Sequence, residues 1–382
     1  MDTQIDLGIL VKKTAKADEV HFRTLPKTIW RIESSTSENV NGMNPDSARR
    51  ITIKDVAREA GVSPTTVSHA LNHRGQVDLH TRERVEDTAR KLGYRPNRNA
   101  QRLRTGEAHM IVLLSSMPFA VAGGPSRLGF MMEIAAVAAA AALDRGLALV
   151  LAPPVESGQV SLERLDLDGA LVIEPSARDP NIDYLQHRGL PTVAIGKPSG
   201  VRHTVPYVDI HSAQTTVLLL DHLHVQGAGN VAMILGSAQR NSYAESEAAY
   251  RAWATVQRQP SLLARADEGR GEEGGYQVAQ ALLAEHPQID AFCVPVDAFA
   301  VGAVRAIHES GRRIPQDVTV ATRYDGIRAR TCQPPLTAVD LQLDQIAHQA
   351  IDLLFDHLRG DTSRRMVAGP QAQLVLRESS AR

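Results

Sequence analysis

Residues 63–72, SPTTVSHALN, carry hydroxyl, imidazole and amide groups in a pattern that suits contact with a polar surface. Thr65 and His69 are four residues apart, so on a helix they share one face. Val67 and Leu71 have the same spacing and share the opposite face. Hydroxyl groups and helix N-termini contact phosphates, and side chains at the start of a recognition helix reach base edges in a DNA major groove. The segment therefore predicts a DNA-reading helix, and the alternative is a small solvated helical hairpin.

A basic stretch follows at residues 94–106, YRPNRNAQRLRTG, which contains no acidic residue. Pro96 suits the start of a short helix through Arg104, in which Leu103 is the lone large apolar residue. A basic helix with one protruding leucine fits a DNA minor groove, with arginines on phosphates and the leucine as a wedge between base steps. Taken alone, the stretch is equally compatible with a basic linker. Its arginines are Arg95, Arg98, Arg102 and Arg104.

Three short helices must position these side chains. Thr52 and Asp55 have the spacing of a capping box, which predicts the start of the first helix. Gly61 lies where a helix commonly ends in the left-handed conformation. Ser63 and Pro64 suit the N-cap and the first position of the second helix. Three short helices bury only a small core, so we expect the unit to be marginally stable alone.

A third helix is predicted to begin after Asp78 as its N-cap and to stop at Gly93. Its apolar stripe consists of Val85, Ala89 and Leu92. The stripe of the first helix consists of Val56, Ala57 and Ala60.

The segments ITIKDVAREAGVSPTTVSHALN and TRERVEDTARKLGYRPNRNAQRLRTG together resemble the lactose-repressor/galactose-repressor family of bacterial transcription regulators. The match is nearly continuous and its motifs are specific. The resemblance implies a sequence-specific DNA-binding regulator, a repressor, that binds a pseudo-palindromic operator in double-stranded DNA as a homodimer. It also implies control by a small-molecule effector, such as a sugar or a nucleoside.

The resemblance carries specific residues with it. The base-reading positions of the recognition helix are Pro64, Thr65 and His69. The positions expected to contact the DNA backbone are Thr52, Ser63, Thr66, Ser68 and Asn72. Leu103 falls on the hinge-helix leucine that enters the minor groove, with Arg98 and Arg102 expected on phosphates. Several members carry Arg where this chain has His69, so the operator sequence cannot be transferred from a relative.

The charge distribution supports a basic module attached to an acidic body. The chain has 382 residues and a formal net charge of −1. Residues 49–108 contain 13 basic and 7 acidic residues, whereas the rest contains 29 and 36. This asymmetry is typical of a nucleic-acid-binding arm with its own regulatory domain. Two cysteines, Cys293 and Cys332, are too few for a disulfide framework, which favours a reducing cytoplasm, with association to the nucleoid when DNA is bound.

The sequence predicts three regions: an extension at residues 1–48, the helix-turn-helix domain with its hinge helix at 49–108, and a two-lobed effector-binding and dimerisation domain at 109–382. The extension is predicted to be disordered or an artefact of the start site, with Met43 as an alternative start; a regulatory tail is the other possibility. Asp2 and Asp6 argue against a signal peptide. The longest apolar run, residues 134–143, is half the length of a membrane span, so no membrane association is expected.

From residue 109 onward, apolar segments alternate with amphipathic helices. The predicted strands are MIVLLSS, LALVLAP, GALVIEP, PTVAIG, NVAMILG, AFCVPV and VTVATRY. Such alternation indicates parallel sheets covered on both faces, here in two doubly wound lobes joined around residues 207–211. Residues 344–361 predict a helix that returns to the first lobe, and residues 371–379 a final strand in the second. The fold class is thus an all-α helix-turn-helix module joined to an α/β two-lobed domain, which resembles the periplasmic-binding-protein-like domain of the same family.

Ligands of such folds bind outside the carboxyl ends of the strands, in the cleft between the lobes. Asp297 directly follows the strand AFCVPV and matches the effector-binding aspartate of the family; the alternative is an N-cap for the next helix. Arg240 matches an arginine of purine-binding members, and Ser242 a neighbouring hydroxyl contact. Phe130 is expected to cover one side of the ligand.

Departures from the family pattern put a plain monosaccharide site in doubt. Ser246 stands where most effector-binding members have an arginine. Val296 replaces the usual Asn, and Leu341 occupies a position that is often Gln. A control mechanism through a protein partner, without a small ligand, is therefore an alternative.

Enzyme motifs are missing from the sequence, so the chain is predicted to be non-enzymatic and to need no cofactor or metal. The segment GRGEEGG lacks the end of a P-loop, and His222 and His224 are two residues apart, on different faces of a helix. A solute-binding protein of the same fold is a further alternative, against which the arginine-rich stretch and the missing export signal argue. No heptad tail follows residue 379, which predicts a dimer rather than a tetramer.

Overall fold

The computed structural model describes residues 51–73, 75–95, 106–122, 129–152, 162–199 and 205–382. Two compact units divide between residues 96 and 97. The predicted hinge helix, with Arg98, Arg102 and Leu103, lies outside the described residues. The domain boundaries after residues 48 and 108 stay predictions.

Within its described residues, 51–73 and 75–95, the first unit has three helices, α1 (Ile53–Ala60), α2 (Pro64–Leu71) and α3 (Leu79–Lys91). The predicted capping box is present, because the backbone N–H and the hydroxyl of Thr52 donate to the Asp55 carboxylate at 2.9 and 2.6 Å. Gly61 ends α1 in the left-handed conformation, with φ 65°. These local signals place the turn between α1 and α2 where the sequence predicts it.

Side-chain caps also begin the other two helices. The Ser63 hydroxyl accepts a hydrogen bond from the Thr66 N–H at 3.0 Å, and the Asp78 carboxylate accepts one from the Thr81 N–H at 2.9 Å. The small core that the three helices enclose consists of Val56, Ala57, Ala60, Val67, Ala70, Val85 and Ala89. Leu71 packs at its edge. The predicted apolar stripes are therefore confirmed.

The second unit is an α/β structure. In chain order its elements are β1 (Met110–Ser115), α4 (Phe119–Ala122), α5 (Phe130–Asp144), β2 (Ala148–Leu151), β3 (Gly169–Ile173), α6 (Pro180–His187), β4 (Thr192–Ile195), β5 (Tyr207–Asp209), α7 (Ser212–Val225), β6 (Val231–Gly236), α8 (Asn241–Gln257), β7 (Leu262–Ala266), α9 (Gly271–Glu285), β8 (Ala291–Val294), α10 (Asp297–Glu309), β9 (Thr319–Thr322), α11 (Ile327–Thr331), β10 (Ala338–Asp340), α12 (Leu343–Leu358), β11 (Met366–Ala368) and β12 (Gln373–Val375). Two 3₁₀-helices, Glu268–Arg270 and Glu378–Ser380, complete it.

Two parallel sheets form the two lobes. The first has the strand order β11-β5-β4-β3-β1-β2 and the second β7-β6-β8-β9. Within β1, Ile111 and Leu113 belong to one buried cluster while Val112 and Leu114 belong to another, so both faces of the strand are buried. The prediction of doubly covered parallel sheets is confirmed, and all seven predicted strands are present.

The helix predicted to return to the first lobe is also confirmed, because α12 packs on α5 and on β3, β4 and β5. The predicted final strand is present as β12, and the structure adds its pairing. β12 does not join the parallel sheet of the second lobe; it pairs antiparallel with β10 in a sheet of two strands. This small sheet lies beside β9, because Thr337 forms an isolated parallel bridge with Ala321 of that strand.

Three chain segments cross between the lobes, after β5, between β10 and α12, and after β11. Hydrogen bonds join the crossovers to one another. The Gly369 N–H donates to the Asp209 carbonyl at 2.9 Å, His211 Nε2 lies 2.9 Å from the Gly369 carbonyl, and Gln342 Nε2 donates to the Gln371 carbonyl at 2.5 Å. His211 and Gln342 both have positive φ, 54° and 53°.

Helix α5 contains the longest apolar run, and its buried side chains include Ile134, Ala138 and Ala142. Among the helices of the described residues, none combines the length and the apolar character that a membrane span requires. Cys293 and Cys332 are buried and unpaired, and burial raises the pKa of Cys293 to about 12.

Candidate DNA-binding surface and effector cleft

Helix α2 presents the three predicted base-reading residues to solvent. Pro64, Thr65 and His69 are exposed, whereas Val67 and Ala70 are fully buried. The exposed side chains are short or planar, and the face contains no acidic residue. Such a surface can approach base edges closely without an electrostatic penalty from phosphates.

The predicted backbone-contacting residues surround this face and already make local hydrogen bonds. The hydroxyls of Ser63 and Thr66 lie 2.8 Å apart, and Asn72 Nδ2 donates to the Ser68 carbonyl at 2.6 Å. Thr52 is exposed at the start of α1. These bonds hold the side chains in defined positions while leaving hydroxyl lone pairs for further partners.

Gly75 lies directly against the His69 imidazole. A Cβ atom on Gly75 would come within 2.8 Å of His69 Nδ1, and the φ of Gly75 is 67°. Both the left-handed backbone and the close approach require glycine here. The turn after α2 therefore leaves room for the imidazole of a predicted base-reading residue.

The cleft of the second unit is lined by charged residues at the carboxyl ends of strands from both lobes. Glu174 follows β3 in the first lobe. Glu268 and Arg323 follow β7 and β9 in the second lobe, and Arg240 precedes α8. All four side chains are buried.

Arg240 is held by partners in both lobes. Its guanidinium donates two hydrogen bonds of 2.9 Å to the Glu268 carboxylate in its own lobe. It also donates to the backbone carbonyls of Ser116, at 2.8 Å, and of Glu174 in the first lobe. Burial alone would lower the pKa of Arg240, but the bonds and charge of Glu268 outweigh burial and raise it. Tyr243 donates to the same carboxylate at 2.5 Å.

Glu174 is a second bridge between the lobes. Its carboxylate accepts hydrogen bonds from Arg323 at 2.9 Å and from the Ser242 hydroxyl at 2.6 Å. Arg323 in turn donates to the Ser212 hydroxyl at 2.9 Å. Ser242, which was predicted to contact the effector, thus holds the side chain of Glu174, which was not predicted.

Asp297 begins α10 and has an internal partner as well. Its carboxylate accepts a hydrogen bond from the Ala298 N–H at 2.8 Å and lies 3.4 Å from the Arg328 guanidinium. Arg328 also donates to the carbonyls of Ala120 and Val121 in the first lobe, at 2.7 and 3.1 Å. Burial raises the pKa of Asp297, and the Arg328 charge opposes that shift.

The remaining cleft volume is small, about 30 Å³. Phe130, Glu174 and Asp297 line it, together with Val296, Arg323 and Tyr324. Small-molecule sites occupy roughly 300–1,000 Å³, so this volume holds a water molecule or two rather than an effector. The structure therefore brings Phe130 and Asp297 together at a cleft that its own arginines close.

Two of the departures from the family pattern lie elsewhere. Ser246 is buried between helices, where its hydroxyl accepts a hydrogen bond from Thr216 at 2.9 Å. Leu341 lines a different cavity at the crossover between β10 and α12.

Four charged residues of the cleft were not predicted from the sequence: Glu174, Glu268, Arg323 and Arg328. For two of them a signal existed, because GALVIE and VTVATR each end a fully apolar or uncharged strand with a charged residue. A charge directly after a buried strand marks the carboxyl edge of a parallel sheet, where ligands bind. Their pairing with each other has no local signature.

Comparison with known proteins decides the family. Residues 52–97 match the model for bacterial regulatory proteins of the lacI family, and residues 220–380 match a periplasmic binding protein-like domain. The HTH-type transcriptional regulator CelR of Thermobifida fusca is 30% identical over 347 residues, which cover 87% of this chain and 98% of that protein. The chain belongs to the LacI family of bacterial regulatory proteins.

Solved structures extend the likeness over both units. The structure of a transcriptional regulator CelR–cellobiose complex is 27% identical with a TM-score of 0.63, covering 86% of this chain and 100% of that one. A lac repressor dimer bound to operator and the anti-inducer ONPF has a TM-score of 0.69 at 23% identity, over 87% and 99% of the chains, and shares the fold. The LacI-family chain is thus a DNA-binding transcriptional regulator.

Proposed function

We propose that this LacI-family regulator binds a pseudo-palindromic operator as a homodimer, with Pro64, Thr65 and His69 of each copy facing base edges. The observation that carries the proposal is the exposure of these three side chains on the face of α2 opposite the buried Val67 and Ala70. A recognition helix places its N-terminal residues in the major groove, and a two-fold dimer requires a two-fold site. Because the protein acts on DNA, we place it in the cytoplasm and propose no catalytic role for it.

The residues proposed to contact the DNA backbone are Thr52, Ser63, Thr66, Ser68 and Asn72. Hydroxyl and amide groups at a helix N-terminus position a protein on phosphates without reading sequence. Arg98, Arg102 and Leu103 complete the interface as phosphate and minor-groove contacts, on the basic composition of their segment and its resemblance to the hinge helix of the family.

For the effector we propose a neutral molecule rich in hydroxyl groups, a sugar or a nucleoside. Arg240, Ser242 and Asp297 line its path, and Phe130 covers one face of its ring. The cleft contains carboxylates and guanidiniums that neutralise each other. A ligand hydroxyl can donate to a carboxylate and accept from a guanidinium, so it can replace either partner without adding net charge. The cellobiose in the CelR complex is a ligand of this chemistry. Entry requires the cleft to open, since it now holds about 30 Å³.

The DNA part is tested by selecting sites from a random double-stranded library with the full chain. We expect an inverted repeat, and binding measured by fluorescence anisotropy should weaken steeply with salt. The slope of log K against log salt should be about −0.9 for each phosphate contacted. A single half-site, or affinity independent of salt, would contradict the proposal.

The effector part is tested by a thermal-shift screen of neutral sugars and nucleosides, followed by operator binding with each hit. We expect a hit to change operator affinity, because a ligand that favours one lobe arrangement shifts the balance between the two. Arg323→Met removes a hydrogen bond to Glu174 that holds the two lobes together, and should tighten ligand binding. A complete lack of hits would instead favour control by a protein partner.

A further inference from the structure

A second, larger cavity lies apart from the effector cleft. Its volume is about 540 Å³, within the roughly 300–1,000 Å³ of small-molecule sites. It is bordered by α5 of the first lobe, by the residues after β9 in the second, and by the crossover from β10 to α12. Of the described lining residues, Tyr324 alone also lines the effector cleft, and its ring packs edge-on against Phe130 with centroids 5.3 Å apart.

The charge of this cavity is strongly negative. Its lining includes four carboxylates and a single guanidinium, that of Arg330. Asp325 is already neutralised, because it forms ion pairs with Arg330 at 3.3 Å and with Arg377 at 2.6 Å. The other three carboxylates form no ion pair within the part of the chain that the structure describes; they belong to Glu133, Asp340 and Asp344.

A buried hydroxyl adds an independent polar group to the site. Tyr324 is 7% exposed, and its hydroxyl has no partner at hydrogen-bond geometry, although Glu133 is close enough to interact with it. A buried hydroxyl without a well-formed hydrogen bond is costly, so such a group is a ready partner for a ligand. Glu133 lies on the same wall, and burial raises the pKa of its carboxyl group.

The remaining walls combine aliphatic side chains with the amide groups of Gln342 and Gln345. Ala136 and Val137 of α5 face the cavity, as do Leu341 and Leu343 of the crossover. In the described residues, no group of His, Cys, Asp and Glu side chains is arranged to hold a metal ion. A ligand for this cavity therefore needs positive charge for the carboxylates and an aliphatic body for the walls.

We propose that this cavity binds a small aliphatic diamine or polyamine. The unpaired carboxylates come from α5, from the end of β10 and from the first turn of α12, so they surround the cavity from separate elements. A linear dication can place one ammonium group near Glu133 and the Tyr324 hydroxyl and the other near Asp340 and Asp344. Its methylene groups then lie against Ala136, Val137 and the leucines.

The experiment is isothermal titration calorimetry of the full chain with 1,4-diaminobutane and with spermidine. Parallel titrations use 1,4-butanediol, which has the same carbon chain without charge, and magnesium chloride at matched ionic strength. We expect saturable binding of the amines, no binding of the diol, and no competition by magnesium at that ionic strength. Binding of the diol, or equal displacement by magnesium, would overturn the proposal.

Two variants test the location. Glu133→Gln removes a half-buried carboxylate while keeping its shape, and should weaken amine binding at least about tenfold. Ala136→Phe fills the cavity without changing its charge and should abolish binding. Asp144→Asn is the matched control, because Asp144 is exposed at the far end of the same helix and outside the cavity.

Circular dichroism and melting temperature establish that each variant is folded before titration. Parent-like binding by both Glu133→Gln and Ala136→Phe would overturn the assignment, as would an equal loss in Asp144→Asn. None of these readouts involves DNA or the effector, so failure of this site and failure of the proposed repressor function are separate results.

Discussion

The helix-turn-helix unit and the effector cleft use polar side chains in opposite ways. On α2, Thr65 and His69 are exposed, and their surroundings are positioned by bonds between residues three or four apart in the chain. In the cleft, Arg240 and Glu174 are buried, and their partners are 28 to 149 residues away. One surface is open to a partner, whereas the other is closed by the protein itself.

The difference shows where a binding site is preorganised and where it must be rearranged. A DNA-contacting helix needs no desolvation beforehand, so its side chains stay in water until the partner arrives. The cleft charges are desolvated already, and each is stable only while it keeps a partner. Ligand binding in the cleft therefore replaces hydrogen bonds and ion pairs that already exist, whereas DNA binding adds new ones.

The largest expected effect concerns the buried Arg240–Glu268 pair. Arg240→Met leaves Glu268 as an uncompensated buried charge, which should lower the free energy of unfolding by about 3–5 kcal/mol. The double variant with Glu268→Met should lose less than the sum of the two single variants, because neither charge is then left alone. Urea unfolding of the four proteins measures this coupling, and additive losses would show that the pair is not a desolvated unit.

A smaller effect is expected at the recognition face. His69→Ala should weaken binding to the selected operator by about 1–3 kcal/mol, the usual cost of a lost base contact, and leave binding to random DNA nearly unchanged. His80→Ala is the matched control, since His80 is exposed on α3 outside the predicted contacts. Anisotropy titrations on both DNAs measure the effect, and equal losses on both would make His69 a backbone contact.

A cap mutation tests the local hydrogen bonds of the same unit. Ser63→Ala removes the acceptor of the Thr66 N–H and should destabilise α2 by about 1 kcal/mol. Faster amide hydrogen exchange at residues 64–71 measures the loss. Ser63→Asp supplies an equivalent acceptor and should restore protection; failure of this rescue would assign the effect to something other than the cap.

The smallest effect is the pH dependence of α3. The hydrogen bond from the Thr81 N–H lowers the pKa of Asp78 below its ordinary value of about 3.9. A carboxyl group with a lowered folded-state pKa stabilises the fold above its unfolded pKa, and that contribution is lost as pH falls through the folded pKa. The melting temperature of Asp78→Asn should therefore lie below that of the parent at pH 6 and converge with it at the acid end. A constant difference would exclude the charge as its cause.

Much of the helix-turn-helix unit was predictable because its signals are local. Thr52, Gly61, Ser63 and Asp78 each act on a neighbour within five residues, and the structure places all four where the pattern indicates. The long apolar strands were predictable for the same reason. The short strands β5, β10 and β11 were not, since three residues each carry no periodicity, and β7 contains the charged Arg265.

The cleft was only partly predictable. Arg240 and Ser242 came from the family resemblance, Asp297 from the resemblance and from its place after a buried strand, and Phe130 from the aromatic side chain before a helix at the cleft; the structure gathers them around one cleft. No pattern indicated that Glu174, Glu268 and Arg328 occupy the polar groups of Ser242, Arg240 and Asp297, respectively. Such pairings depend on how the two sheets are arranged relative to each other. A local sequence motif does not encode that arrangement.

The three crossovers between the lobes have a mechanical consequence. Because hydrogen bonds tie them side by side at Asp209, Gly369 and Gln371, they form a narrow ribbon rather than three independent tethers. A ribbon bends easily about the line across its width and resists shear and twist. Lobe motion should then reduce to a single angle, so one pair of spin labels, one on each lobe, would report the whole opening coordinate.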